Sequence, residues 1–309
     1  MQAKFNFVTS YLTVQANTGI FMNTTIFSHV LLPATLIIIT FGLGLSITLP
    51  DIRNIIIKPK DIIIGVLSQM LLLPIIAFLI AWITRLEPEY SVGLILIAIC
   101  PGGVTSNLIN FMIRANVALS MSITIVHGLI TTVKIPLVTS LALIVFMQEH
   151  TRIEMPILNA ILQIFLLTII PATIGILIRA WKTKLAEKLE NPLRIILPLL
   201  LLVIYSGVIF IEGGNGRVDI SHFIYLLPFT LALNTLSTIA GYFVPRLFAV
   251  SKRNRYTIAV EVGMQNSTLA IFVASSLLNN YQMALVGVVY GSFSFFSTWL
   301  WGYLAKRYL

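Results

Sequence analysis

The sequence predicts an all-α polytopic membrane protein with nine transmembrane helices, and three observations carry that reading. The chain is 58% hydrophobic and only 10% charged, whereas a soluble domain carries about 25% charged residues. Its apolar residues gather in runs of about 20 or more, the length a helix needs to cross a bilayer. Its basic residues sit in the short loops between those runs, so the net charge of +9 reads as a topology signal and not as a nucleic-acid surface. The single cysteine, Cys100, lies inside an apolar run, which excludes a disulfide framework or a Cys-based metal site.

Taken in order, residues 1–25 carry one Lys and are interrupted by Gln15, Asn17 and Asn23. They read neither as a cleaved signal peptide nor as a span, and are expected as an extracytoplasmic N-terminal segment. The spans follow at 26–49, 62–84, 90–113, 117–147, 156–178, 195–211, 220–245, 256–278 and 281–305. The fourth is overlong and is expected to bend at Pro136. Residues 26–309 are expected to form a single domain with short loops. Fifteen Lys and Arg fall on one side of the spans and four on the other, with Lys134 alone inside a span. That bias places the C-terminus in the cytoplasm and the N-terminus outside.

Two spans are broken by their own residues. The third contains Cys100-Pro101-Gly102-Gly103 and the eighth contains Gly263. Proline removes a helical hydrogen bond and glycine relaxes the backbone. Interrupted segments in corresponding places of two halves point to a transporter's binding site. The third span runs inward and the eighth outward, as an inverted repeat requires. The expected halves are a first repeat at 26–147, short of one helix, and a second at 156–305.

The eighth span also holds Glu261, Gln265 and Asn266. A carboxylate at membrane depth is costly and marks a functional site; the blander reading is a polar cluster that glues helices together. Depth decides between them. At a rise of about 1.5 Å per residue, Gln69, Ser106, Asn107, Ser120, Thr124, Glu261 and Gln265 all fall roughly 5–14 Å inside the cytoplasmic edge. Four helices thus deliver oxygen ligands to one level, and oxygens suit a hard cation such as sodium. A proton relay through Glu261 is the alternative, and it would not need the hydroxyls. Lys134 reads as a lysine snorkelling to the outer interface; the sharper reading is an attractive charge for an anionic substrate, on one face with Ser120, Thr124 and His127. His127 reads as a packing residue. Glu212 to Arg217 reads as a flexible outer loop.

Pro101-Gly102-Gly103 with Ser106-Asn107, then Asn116 to Ser120 with Thr124, Glu261 to Ser267, and Gln69 with Pro74 resemble the bile acid:sodium symporter family over nearly the whole chain. The resemblance implies two sodium sites. One would use Ser106, Asn107, Ser120, Thr124 and Glu261; the other would use Gln69, Glu261, Gln265 and the backbone carbonyls of Val262 and Met264. It also implies a core and a panel domain, with the two discontinuous helices crossing in the core, and organic anion substrates such as bile acids or small carboxylates. Nine helices with an external N-terminus is the shorter of the family's two patterns. Val104 and the Phe296-Ser297-Thr298 stretch depart from residues common in the family near its substrate cavity. Val104, Thr105, Asn266 and Thr298 are accordingly the expected substrate contacts.

The expectation is therefore a sodium-coupled symporter of an organic anion, monomeric, in the plasma membrane, with two sodium ions as coupling ions and no cofactor. The rivals are a proton-coupled or sodium-independent carrier and a ligand-sensing membrane protein that does not transport. An enzyme is not expected: the spans contain no His-Glu-x-x-His and no Gly-x-Ser-x-Gly motif.

Overall fold

The computed structural model describes residues 27–57, 59–147, 156–207 and 220–308, and every described element is helical. The N-terminal segment and the Glu212–Arg217 loop lie outside the described residues. In order, a π-helical turn at Phe27–Leu31 leads into α1 (Leu32–Ser46), followed by α2 (Leu49–Ile57) and α3 (Pro59–Leu67). A second π-turn, Ser68–Leu72, joins α3 to α4 (Leu73–Thr84); then come α5 (Pro88–Ile99), α6 (Val104–Met112) and α7 (Val117–Met147). Helix α8 (Ile157–Ile164) passes through a π-turn at Phe165–Ile169 into α9 (Ile170–Trp181), followed by α10 (Thr183–Gly207) and α11 (Ile220–Leu247). Finally α12 (Lys252–Gly263), α13 (Ser267–Phe272), a π-turn at Val273–Leu277 and α14 (Tyr281–Tyr308) complete the described chain.

Seven of these stretches are helices long and apolar enough to cross a membrane: His29–Ser46, Pro59–Thr84, Val117–Met147, Ile157–Trp181, Ile220–Leu247, Lys252–Leu277 and Tyr281–Tyr308. The expected third span is not one helix. It is α5, α6 and a four-residue extended link between them, Cys100–Gly103. The expected sixth span corresponds to the end of α10, and its last residues, 208–211, lie outside the described ones. Pro136 lies within α7, which runs unbroken for 31 residues.

Three of the four π-turns have a sequence cause. Pro33, Pro74 and Pro171 each stand two residues after the end of a π-turn, early in the following helix. Proline cannot donate to the carbonyl four residues back and its ring presses on that carbonyl, so the preceding turn widens.

Two sets of packing contacts position the site. Helix α1 packs against α9 and α10, and α9 also packs against α10. Helices α3 to α7 and α11 to α14 form the larger group, in which α12 packs on α7, α11 and α14, and α5 packs on α4, α7 and α14. In an 18-residue apolar window of Lys252–Leu277, 94% of the residues are buried, against 17% in that of Ile157–Trp181. The broken helix that carries the buried carboxylate is therefore central and the more apolar one peripheral, as the cost of exposing polar groups to lipid demands.

Candidate functional site

The two breaks meet. The Asn266 N–H donates to the Pro101 carbonyl at 2.9 Å, so each interruption satisfies a backbone group that the other exposes. Helix α12 stops at Gly263, whose carbonyl accepts from Asn234 Nδ2 (2.6 Å), the Tyr290 hydroxyl (2.6 Å) and Thr298 Oγ1 (3.1 Å). Ser297 in turn donates to Asn234 Oδ1 at 2.6 Å. Three donors from α11 and α14 thus hold open a carbonyl that an unbroken helix would have used internally. On the far side of the break, the Asn266 side-chain oxygen accepts from Leu269 N at 3.0 Å and caps α13.

The Glu261 carboxylate lies at this crossing and is wholly buried. Ser120 Oγ donates to Oε1 in a short hydrogen bond, and Thr124 Oγ1 donates to Oε2 at 3.1 Å. Ser106 lies beside the same carboxylate, with its hydroxyl 2.8 Å from the Gly103 carbonyl. Ser120 Oγ is also 2.6 Å from Asn107 Oδ1 and accepts from Asn110 Nδ2 at 2.9 Å. One serine hydroxyl has one proton, yet two acceptor oxygens stand within its reach. Gln69 Oε1 is a further buried oxygen without a hydrogen-bond partner. The pocket holds more lone pairs than protons, the imbalance that a cation corrects.

Beside it, Gln69 Nε2 donates to the Glu261 backbone carbonyl at 3.0 Å and lies 3.4 Å from Gln265 Oε1. Gln265 Nε2 donates to the carbonyls of Glu261 (3.2 Å) and Val262 (2.8 Å). Met264 lies in the extended break. The structure therefore brings together Gln69, Ser106, Asn107, Ser120, Thr124, Glu261, Val262 and Gln265. Among the described residues no group of three or more His, Cys, Asp or Glu could hold a metal ion, and the oxygen-only set suits a hard monovalent cation better than a transition metal.

A cavity of about 210 Å³ opens against this crossing, between the two helix groups. Pro101, Gly102, Thr124, Gly128, Thr131 and Asn266 wall one side, and Thr40, Leu43, Ile47, Thr168, Ala172 and Thr173 the other. Of the expected substrate contacts, Asn266 lines it. Thr298 is fully buried on the Gly263 carbonyl and away from it, Thr105 is half-buried at the start of α6, and the Val104 side chain is outside the described ones. Asn110, Asn234, Tyr290 and Ser297 are site-supporting residues that sequence reasoning missed. The spacing of Asn107 and Asn110 on one helical face was the available signal for the first; nothing in the sequence ties Asn234 to Gly263. Lys134 does not snorkel. It is 8% exposed, and its ammonium lies 3.4 Å from Nε2 of the fully buried His127.

A model of the sodium bile acid symporter family matches residues 33–219, more than half of the chain. The chain is 29% identical over 239 residues to the uncharacterized sodium-dependent transporter YocS of Bacillus subtilis, an alignment covering 77% of this chain and 72% of YocS. It is 29% identical over 245 residues to the probable sodium/metabolite cotransporter BASS1, chloroplastic, of Arabidopsis thaliana, covering 79% of this chain and 59% of that protein. It is 26% identical over 248 residues to the mouse sodium/bile acid cotransporter 4, covering 78% and 54%. The chain thus spans less than two thirds of the length of the plant and mouse relatives.

Proposed function

This chain belongs to the sodium bile acid symporter family, and from that premise we propose that it is a sodium-coupled symporter of an organic anion, working by alternating access. The carrying observation is the buried Glu261 carboxylate at the meeting of two broken helices, among more acceptor oxygens than protons. In this reading Ser106, Asn107, Ser120, Thr124 and Glu261 hold one sodium ion. Gln69, Glu261, Gln265 and the carbonyls of Val262 and Met264 hold a second. The amide of Gln265 already lies on the Val262 carbonyl and that of Gln69 on the neighbouring Glu261 carbonyl, and a half-turn of either presents oxygen in place of nitrogen.

Two sodium ions against one carboxylate leave about one positive charge, which an anionic substrate offsets. The cavity supports the same reading. It joins the cation pocket at Thr124 and Gly102 and is otherwise aliphatic with threonine hydroxyls, a surface for an amphipathic guest. Asn266 commits its oxygen to the α13 cap and leaves its N–H₂ as a donor at the cavity wall. The group of α1, α9 and α10 serves as the panel, the larger group as the core, and nine spans with inverted repeats and an external N-terminus complete the architecture. The site of action is the plasma membrane.

The test is thermal stabilisation of the purified protein in sodium against equimolar potassium. A ligand at 100 times its Kd stabilises by about 2.7 kcal/mol, so sodium is expected to raise the Tm measurably in the wild type and not in Glu261→Ala or Gln265→Ala. Equal Tm values in the two salts would sink the sodium assignment. Sodium-gradient uptake into proteoliposomes then separates transport from binding alone.

A further inference from the structure

Tyr205 carries α10 across to the broken helix. It is half-buried, and its hydroxyl shares a hydrogen bond with Ser267, the first residue of α13. The pair is seated on Gly291 of α14. A Cβ there would collide with the Tyr205 hydroxyl oxygen and stand 2.6 Å from its Cζ and 2.9 Å from Ser267 Oγ. Both tyrosine atoms move only with the rigid ring, so glycine alone leaves room for the phenol at this spot. None of the three residues lines the cavity beside the crossing.

Position gives the contact its meaning. In a bundle of spans, connectivity puts the end of α1, the start of α7 and the end of α9 at one face. The end of α10, the end of the Lys252–Leu277 stretch and the start of α14 lie at the other. The cavity runs from Asn266 at the crossing to Ile47, just past the end of α1, and so faces the first side. Toward the second side the bundle is closed. The π-turn Phe27–Leu31 packs on the π-turn Val273–Leu277, with Phe27 fully buried, and α1 packs on α13. Gly291 lies ten residues inside the start of α14, about 15 Å. Tyr205 therefore reaches the broken helix on the closed side of the crossing.

A static notch for an aromatic ring would account for the glycine, since small residues let membrane helices approach. It would not account for the polar tip being seated there, which phenylalanine would fill without needing a partner. Nor would it account for the partner chosen. Ser267 opens α13 one residue after Asn266, whose N–H closes the crossing on Pro101.

We propose that Tyr205, Ser267 and Gly291 form a latch between panel and core, made in the state whose cavity faces the end of α1 and broken in the opposite one. The inference rests on the alternating-access reading and adds the contact that sets the balance between its two states. A hydrogen bond present in one state only shifts the equilibrium by its own worth, about threefold for an average hydrogen bond between membrane helices.

The experiment uses the full chain with Gly128→Cys on a Cys100→Ala background, because a side chain at 128 enters open space in the cavity wall. A membrane-impermeant maleimide is applied in potassium to right-side-out and to inverted vesicles, and the ratio of the two rates is read. The parent is compared with Tyr205→Phe, Ser267→Ala, their double variant and Gly291→Ala, and the sodium-induced Tm shift is recorded for each. The parent is expected to label faster from the face where α1 ends. Tyr205→Phe and Ser267→Ala should each move the ratio about threefold toward the other face, and the double variant no further, because the two remove one bond. Gly291→Ala should move it at least as far, by displacing the ring. A ratio unmoved in Tyr205→Phe and Ser267→Ala, or additive effects in the double variant, overturns the latch, and an intact sodium shift then leaves the symporter reading standing. Absence of the sodium shift in the parent and the wild type would remove the symporter reading itself, and the latch with it.

Discussion

At the scale of single residues, Gly102 and Gly103 separate two roles that the sequence shows only as a pair of helix breakers. A Cβ on Gly102 would stand 2.7 Å from Glu261 Oε2 and 3.2 Å from Ser106 Oγ, whereas one on Gly103 meets only Thr105 Oγ1 at 4.0 Å. Gly103 is in the extended region that any residue adopts. Gly102 is thus required by close approach to the carboxylate, and Gly103 only by the ease of breaking the helix. Gly102→Ala is expected to weaken the sodium-induced Tm shift by tenfold or more in half-saturating concentration, about 1.4 kcal/mol, and Gly103→Ala to change it little. Equal effects would mean the carboxylate does not hold this position. Residue type and depth were legible: Gln69, Ser106, Ser120, Thr124 and Glu261 could be set at one level by counting along helices. Side-chain direction was not, which is why Lys134 reads from its depth as an interfacial residue and proves to point back toward His127.

At the scale of elements, the breaks were legible because proline and glycine act through the backbone itself, while the partners that stabilise them were not. Asn234, Tyr290 and Thr298 converge on the Gly263 carbonyl from two distant helices, and no local pattern announces a long-range contact of that kind. The π-turns are an intermediate case. Gln69 lies in the Ser68–Leu72 turn, and Pro74 follows it. In a regular helix residue 74 would donate to the Met70 carbonyl; proline denies that bond and widens the turn, which turns Gln69 to the Glu261 carbonyl. Widened turns of this kind cluster at functional sites. Pro74→Ala restores the missing donor, so the helix is expected to regularise and the fold to melt no lower than the wild type. The sodium shift is expected to shrink severalfold, because Gln69 rotates away. A full sodium response in Pro74→Ala would show that something other than the proline places Gln69.

At the scale of the whole molecule, the division into two helix groups was not readable from periodicity. Lipid is as apolar as a protein core, so a membrane helix shows no polar face to mark its outside. Packing shows one tightly joined helix pair. Gly44 and Gly175 let α1 and α9 approach so closely that a Cβ on Gly44 would collide with the Ala172 carbonyl, which makes that pair a unit, and the cavity lies between it and the crossing. If the smaller group moves against the larger, the accessibility of the cavity wall must depend on the ions bound at the crossing, since a ligand shifts a conformational equilibrium only through its differential affinity for the two states. Gly128 is the position to read it, because a side chain there enters open space. The single native thiol, Cys100, is fully buried and removable. Gly128→Cys on a Cys100→Ala background is expected to react with a membrane-impermeant maleimide at rates that differ severalfold between sodium and potassium. Adding Glu261→Ala is expected to abolish the difference by removing the cation's hold on the crossing. Labelling at one rate in both salts, in a protein whose Tm still responds to sodium, would mean that cation binding does not drive motion at the cavity, and alternating access would need another trigger.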